Sequence, residues 1–381
     1  MFYNILIYIR QLIYSLLIIV DLEVRKLQQV GYSTLVVSLP RKWVKEVGLE
    51  RGEAISLIQE TDGTLRLIPG VSKGEKEYTK LIVDADKITE EGLLTRIITG
   101  MYIVGHDALQ ITSRKGLRND QSTEIRKACL KMTGINIVEQ TLNYITIQNF
   151  VDPTRFPVNG LLRRLYIITS AMHDACYHAI KESNKELAVE AINMEQEVNR
   201  IYWLVVRQLL LASRDRAIGK KVGVESVLHI VGNRTAAKIL EEIGDSEDAI
   251  AHEIIRLIDF GKTFEKTLLE GIFQLFETVK EIYDKTIKAF FSIDVKLANE
   301  MAQKVDEIHK QVERITEKIF MLSKKEISKE NNLENRVYLI TRPILWKLGE
   351  IAEYCSTLCE ITINCFLEEP SELCKFEKIQ Q

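Results

Sequence analysis

Proline is scarce in this 381-residue chain, with six in all. Between Pro157 and Pro370 only Pro343 intervenes, so long helices are permitted over most of the sequence. Cysteine is equally rare: six residues, no C-x-x-C pair and no secretory processing pattern. That excludes a disulfide scaffold and places the chain in a reducing cytoplasm. Cys355, Cys359, Cys365 and Cys374 gather near the end and read as small buried core residues rather than zinc ligands. Strong charge of either sign is missing too. A net charge of −3 excludes a surface that is basic throughout, so any DNA contact must come from a local patch. There is no G-x-x-x-x-G-K-S/T phosphate loop, no dinucleotide glycine fingerprint and no nucleophile elbow. His173 and Asp174 adjoin, but neighbours on a helix do not face each other. The chain therefore reads as a non-enzyme. The one long hydrophobic run, residues 1–20, is interrupted by Arg10 and Gln11. Three readings stay open for it: an extension upstream of a true start near Asp21, an interfacial amphipathic helix, or a membrane anchor.

What the sequence does hold is ordinary in bulk, 46% hydrophobic and 28% charged, enough for a sizeable core and two or three domains. Residues 21–70 form a miniature unit. "TLVVSL" alternates with the period of a strand, Pro40 opens a short helix over "RKWVKEV", and Gly48 closes it. A strand from Glu53 to about Glu60, the Asp62-Gly63 turn and a return over Thr64–Ile68 predict a hairpin. At about fifty residues such a unit buries too little surface to stand alone, so a second copy is expected. Trp43 is expected in its core. "PGVSKGEKEY" reads as a linker. Residues 79–151 predict a small α/β connector, with strands at "KLIVD", "ALQIT", "INIVEQT" and "YITIQNF" and two helices between.

From Pro157 the spacing predicts six long helices, near 160–183, 186–213, 223–258, 263–291, 294–323 and 333–367, folding back as antiparallel bundles. "AIKESNKELA" and "AFFSIDVKLA" align at a separation of 110 residues, and Ile243-Gly244-Asp245 echoes Leu348-Gly349-Glu350. Two tandem three-helix units, 157–260 and 261–367, are the simplest account.

The head, through "VRKLQQVGYSTLVVSLPRKW", "GLERGE" and "DGTLRLIP", resembles the swapped-hairpin domain of the SpoVT/AbrB type. The helical part, through "LAVEAINMEQEVNRIYWLVVRQLLLA" and "AAKILEEIGDSEDAIAHEI", resembles the PhoU family. Their joint order resembles archaeal phosphate-uptake regulators of fused type. The resemblance implies a multi-domain fold: a small mainly-β swapped-hairpin head, an α/β connector and an all-α body of two tandem three-helix bundles. It further implies a homodimer that binds DNA through Arg25, Lys26, Arg41, Lys42 and Lys45, and regulates phosphate uptake. A phosphate ABC transporter ATPase is a further implied partner. The alternative is an adaptor that dimerises through the head and docks on the transporter ATPase or a signalling kinase without touching DNA. PhoU proteins also carry E/D-x-x-x-D pairs that hold divalent or iron ions. Here Glu241 and Asp245 keep that pattern, and Glu195 holds the matching place on the second helix, but Asn199 stands where aspartate is usual. In the second repeat Trp346 replaces a carboxylate and Lys310 faces Asp306. A metal at Glu195, Glu241 and Asp245 is thus one expectation and a plain charged helix face the other.

Overall fold

The computed structural model describes residues 23–59, 63–70, 78–224, 226–261, 266–325, 333–368, 370–375 and 377. Residues 1–20, the Asp62 half of the hairpin turn and most of the linker lie outside them. The chain divides into two units, residues 1–77 and 78–381.

The first unit holds two hairpins with a helix between. β1 (Gln28–Val30) pairs antiparallel with β2 (Thr34–Val36) across a turn opened by Gly31, whose φ of 70° suits glycine. α1 (Arg41–Glu46) follows Pro40, whose lack of an amide hydrogen costs nothing at a helix start. β3 (Ile55–Gln59) pairs with β4 (Leu65–Pro69), and Gly63 takes the expected positive φ between them. The sequence pattern had missed β1, because "LQQV" is too short and too polar to signal a strand. No described residue of this unit is buried in the single chain. Leu35, Leu57 and Leu65 each leave more than 60% of their surface to solvent. Trp43, expected in a core, is only half-buried.

The second unit begins with a four-stranded sheet in the order β5-β6-β8-β7. β5 (Lys80–Asp84) runs parallel to β6 (Ala108–Thr112), with α2 (Leu93–Val104) as the crossover. β7 (Ile135–Gln140) and β8 (Tyr144–Asn149) form a hairpin after α3 (Asn119–Leu130), turning at Leu142-Asn143. Ile111, Ile145 and Ile147 from the sheet, with Ile98 and Ile125 from the helices, are fully buried. That apolar layer holds the helices onto the sheet.

The six long helices follow: α4 (Val158–Glu182), α5 (Lys185–Arg214), α7 (Val227–Asp259), α8 (Lys266–Ser292), α9 (Val295–Lys325) and α10 (Leu333–Phe366). Between α5 and α7 lies a short extra helix, α6 (Arg216–Val222), where the sequence reading had only a break. Its cause is local: Asp215 Oδ1 accepts from the Ala217 amide at 2.8 Å, and Gly223 supplies the left-handed stop. α4, α5 and α7 pack as one bundle; α8, α9 and α10 pack as another. α10 continues through Pro343, which cannot donate to the carbonyl one turn back.

The duplication is written into the turns. Ser183 ends α4 at φ 51°, and Ile293 ends α8 at φ 52°, 110 residues on. The next amide, of Asn184 or Asp294, donates at 3.0 Å to the carbonyl of Ala179 or Ala289. Asn184 and Asp294 then cap the following helices through their side-chain oxygens.

The two bundles meet chiefly along α7 and α10, and also along α4 and α8, where the contact is a polar stripe. Tyr166 donates to Asp284 at 2.8 Å, and the Thr169 and Tyr283 hydroxyls lie 2.6 Å apart. Tyr177 donates to Glu277 at 2.7 Å. His173 sits at the centre, buried, with Nδ1 2.7 Å from Glu247 and Nε2 3.0 Å from the Phe276 carbonyl. Adjacent Asp174 plays no part in that contact; the histidine is a structural tie.

Candidate functional site

Three regions bring together side chains with chemistry to offer. The first is the basic end of the head. Arg41, Lys42 and Lys45 are exposed on α1, and none has an ion-pair partner among the described residues. Arg41 and Lys45 stand four apart and share a face. Arg25 and Lys26 precede β1; Arg25 pairs with Glu23 and Lys26 is exposed. The head thus offers unpaired cations on α1 and a partly neutralised pair before β1.

The second region is the acidic face expected to hold metal. Glu241 on α7 is buried, and its carboxylate is bound by Lys238. The same ammonium reaches Glu242 at 2.7 Å. Glu195 on α5 accepts from the Asn199 amide, and Asp245 is exposed on α7. Burial pushes the carboxyls of Glu195 and Asp248 above their usual range. For Glu195, Asp248 and Asp245 add repulsion. Glu241 is also raised, by burial first, with the Lys238 hydrogen bond opposing. A lysine already occupies the inner carboxylate, and an amide stands where a fourth acid would be needed. These residues do not fit a metal ion. Among the described residues no group of three or more His, Cys, Asp and Glu is placed to hold one. In the second repeat the Trp346 indole donates to Glu350 at 2.8 Å, and Lys347 pairs with the same carboxylate.

Sequence reasoning missed the third region. Along α5, Arg200, Arg207 and Arg214 recur every seven residues, so they line one side of the helix. Each donates to the C-terminal end of a connector helix. Arg200 Nε reaches the Leu130 carbonyl at 3.0 Å, Arg207 reaches Tyr102, and Arg214 Nη1 reaches Val104 at 2.7 Å. Guanidinium groups there bind carbonyls of the last turns and oppose the negative end of each helix dipole. Arg207 is fully buried, its carbon centre 5.1 Å from the Tyr102 ring. Beside Arg200, α3 and α5 leave a cavity of about 640 Å³, lined by Lys127, Leu130, Lys131, Glu195, Asn199 and Trp203 among others. The seven-residue arginine spacing was legible in the sequence and is the signal that could have found the seam.

A tandem three-helix body on an α/β connector, preceded by a two-hairpin head with an unpaired basic helix, defines a class of regulatory protein rather than an enzyme. The PhoU domain family matches residues 162–254 and 272–362, one match per bundle. The family described as antidote-toxin recognition MazE, bacterial antitoxin, matches residues 28–75. The chain carries two PhoU domain repeats behind a MazE/AbrB-like head. Among solved structures, it is similar to the phosphate transport system regulatory protein PhoU from Streptococcus pneumoniae. That match has 18% identity and a TM-score of 0.47, over 56% of this chain and 94% of that one. It is also similar to PhoU from Pseudomonas aeruginosa, at 15% identity and a TM-score of 0.49, over 56% and 96% of the two chains. Comparison with curated proteins returns no match. No helix among the described residues is long and apolar enough to cross a membrane.

Proposed function

We propose that the chain is a cytoplasmic, dimeric regulator of phosphate uptake whose head binds DNA and whose PhoU body senses phosphate status or docks on a transporter ATPase. The observation that carries this reading is the head itself. Among its described residues it has hairpins with exposed leucines, no buried side chain and, on α1, cations without an ion-pair partner. A second copy interlaced with the first would bury those leucines and set two basic helices side by side. Paired cations in that arrangement suit phosphates along a duplex.

The test is a gel shift on phosphate-transport promoters across a salt series. Each phosphate contact removed should flatten the log–log salt slope by roughly 0.9. Arg41→Gln/Lys42→Gln should therefore bind more weakly and with a shallower slope. A slope identical to the parent's would take α1 out of DNA binding.

One observation favours the adaptor reading. Residues 21–70 carry seven Lys/Arg and seven Asp/Glu, so the head as a whole is neutral. In that reading the transporter ATPase is captured by the body and DNA is ignored. Capture of the ATPase together with an absent promoter shift would decide for the adaptor.

A further inference from the structure

The cavity between α3 and α5 has no place in the functions above. At about 640 Å³ it is the size of a small-molecule site, and it lies where the connector meets the first PhoU repeat. Its walls differ in chemistry. On one side Lys127 and Lys131 stand four apart at the end of α3, exposed, with no ion-pair partner among the described residues. Arg200 faces them from α5, its Nε donating to the Leu130 carbonyl and its Nη1 3.6 Å from Glu197. The lining thus carries three cations and one carboxylate, Glu195, with Arg200 also paired to Glu197 outside it. The other wall is apolar and flat, made of the half-buried Trp203 and the exposed side chain of Leu130. Trp203 is held in place by Tyr202, ring centres 4.7 Å apart. Between the walls the hydrogen-bonded Asn199 and Glu195 offer amide and carboxylate groups together.

We infer that this cavity binds a nucleotide, with its phosphates on Lys127, Lys131 and Arg200 and its base against Trp203. Cations alone would suit any phosphate. The indole supplies a stacking surface that inorganic phosphate cannot use. The Asn199–Glu195 pair supplies a donor and an acceptor suited to ribose hydroxyls or base edges, whereas a carboxylate facing inorganic phosphate would only repel it. A ligand there touches both the connector helix and α5, so it would add to the arginine seam that already joins them. The inference does not depend on whether the head binds DNA, and its test uses no DNA.

Isothermal titration of the full chain with AMP, ADP and ATP, and with inorganic phosphate and pyrophosphate as separate arms, tests it. Nucleotides should bind at least about tenfold tighter than pyrophosphate, the scale of one favourable ring contact. Lys127→Gln/Lys131→Gln should weaken nucleotide binding by about tenfold per lysine, the scale of a lost charge-assisted hydrogen bond. Both lysines are exposed, so the variant should keep its fold, and circular dichroism checks that. Lys288→Gln, exposed on α8 away from the cavity, should bind as the parent does. Absence of nucleotide binding, or binding unchanged in the double lysine variant, overturns the assignment. Pyrophosphate binding as tightly as ADP also overturns it, because Trp203 would then contribute nothing.

Discussion

Among the described residues, Ile293 is the β-branched one held at positive φ. A β-branched side chain at φ 52° has its Cβ pressed toward the following carbonyl, which costs about 1–2 kcal/mol. Glycine removes that clash but adds freedom to the unfolded chain, so Ile293→Gly should stabilise by about 1 kcal/mol in urea unfolding. Ser183→Gly, at the equivalent turn, should act in the same direction and by less, since serine is not branched at carbon. Destabilisation by Ile293→Gly would show that its half-exposed side chain packs more than it strains. Asp248 poses a different test. Burial raises its carboxyl, so the folded state holds the proton more tightly than the unfolded state. The group's stabilising contribution is present below its ordinary value and lost as pH rises through the raised one. Asp248→Asn should therefore be more stable than the parent at pH 7, with the advantage shrinking as pH falls through the carboxylate range. A pH-independent difference would place the effect in packing. Lys238 shows what sequence spacing alone left open on this face. The i and i+4 carboxylates Glu241 and Asp245 were legible, but which of them a neighbouring lysine had already neutralised depends on side-chain geometry.

At the scale of elements, the α4–α8 stripe adds hydroxyl contacts to the larger α7–α10 junction between the bundles. Thr169 and Tyr283 lie together in fully buried surroundings, so removing the Thr169 hydroxyl strands that of Tyr283. Thr169→Val should cost about 1–3 kcal/mol, the range for a stranded buried polar group. Tyr283→Phe should cost less, because Thr169 also donates to the Leu165 carbonyl at 3.0 Å. The double variant should be less destabilised than the sum, and a thermodynamic cycle by urea unfolding reads that coupling. Strict additivity would mean the hydroxyls do not interact. The arginine seam of α5 is tested by exchange rather than by global stability. Arg214→Ala should raise amide exchange at the end of α2 while leaving α8 to α10 unchanged. Elements of this kind divide cleanly in what the sequence reveals. The six long helices and the four connector strands were legible because their apolar period repeats over many residues. β1 and α6 were not, since three and seven residues carry too little period, and α6 depends on one aspartate cap. The seven-residue arginine spacing on α5 was legible, but its target was not, because backbone carbonyls carry no residue signature.

At the scale of the molecule, the head is the unit whose single-chain structure leaves most apolar surface uncovered. The duplicated body needs no partner to close its core: Phe276, Tyr283, Ile344 and Leu348 are buried within one chain. The head, by contrast, was legible in outline from Pro40, Gly48 and Gly63, while its missing core could be foreseen only from its length. Dimerisation should therefore reside in residues 23–70 and should respond to charges placed on the hairpins. Leu57→Asp/Leu65→Asp puts two carboxylates on adjoining strands, at side chains that a single chain leaves mostly in solvent. The parent chain should sediment as a dimer at micromolar concentration and this variant as a monomer. Amide exchange should quicken throughout β1 to β4 while α4 to α10 keep their protection, because the body belongs to a separate compact unit. DNA binding by the monomer should fall further than the lost pairing of α1 helices alone would give, since an unfolded head no longer presents them. A variant that still sediments as a dimer would move the contact to the PhoU body. A parent that sediments as a monomer with slowly exchanging head amides would show that the two hairpins fold without a twin.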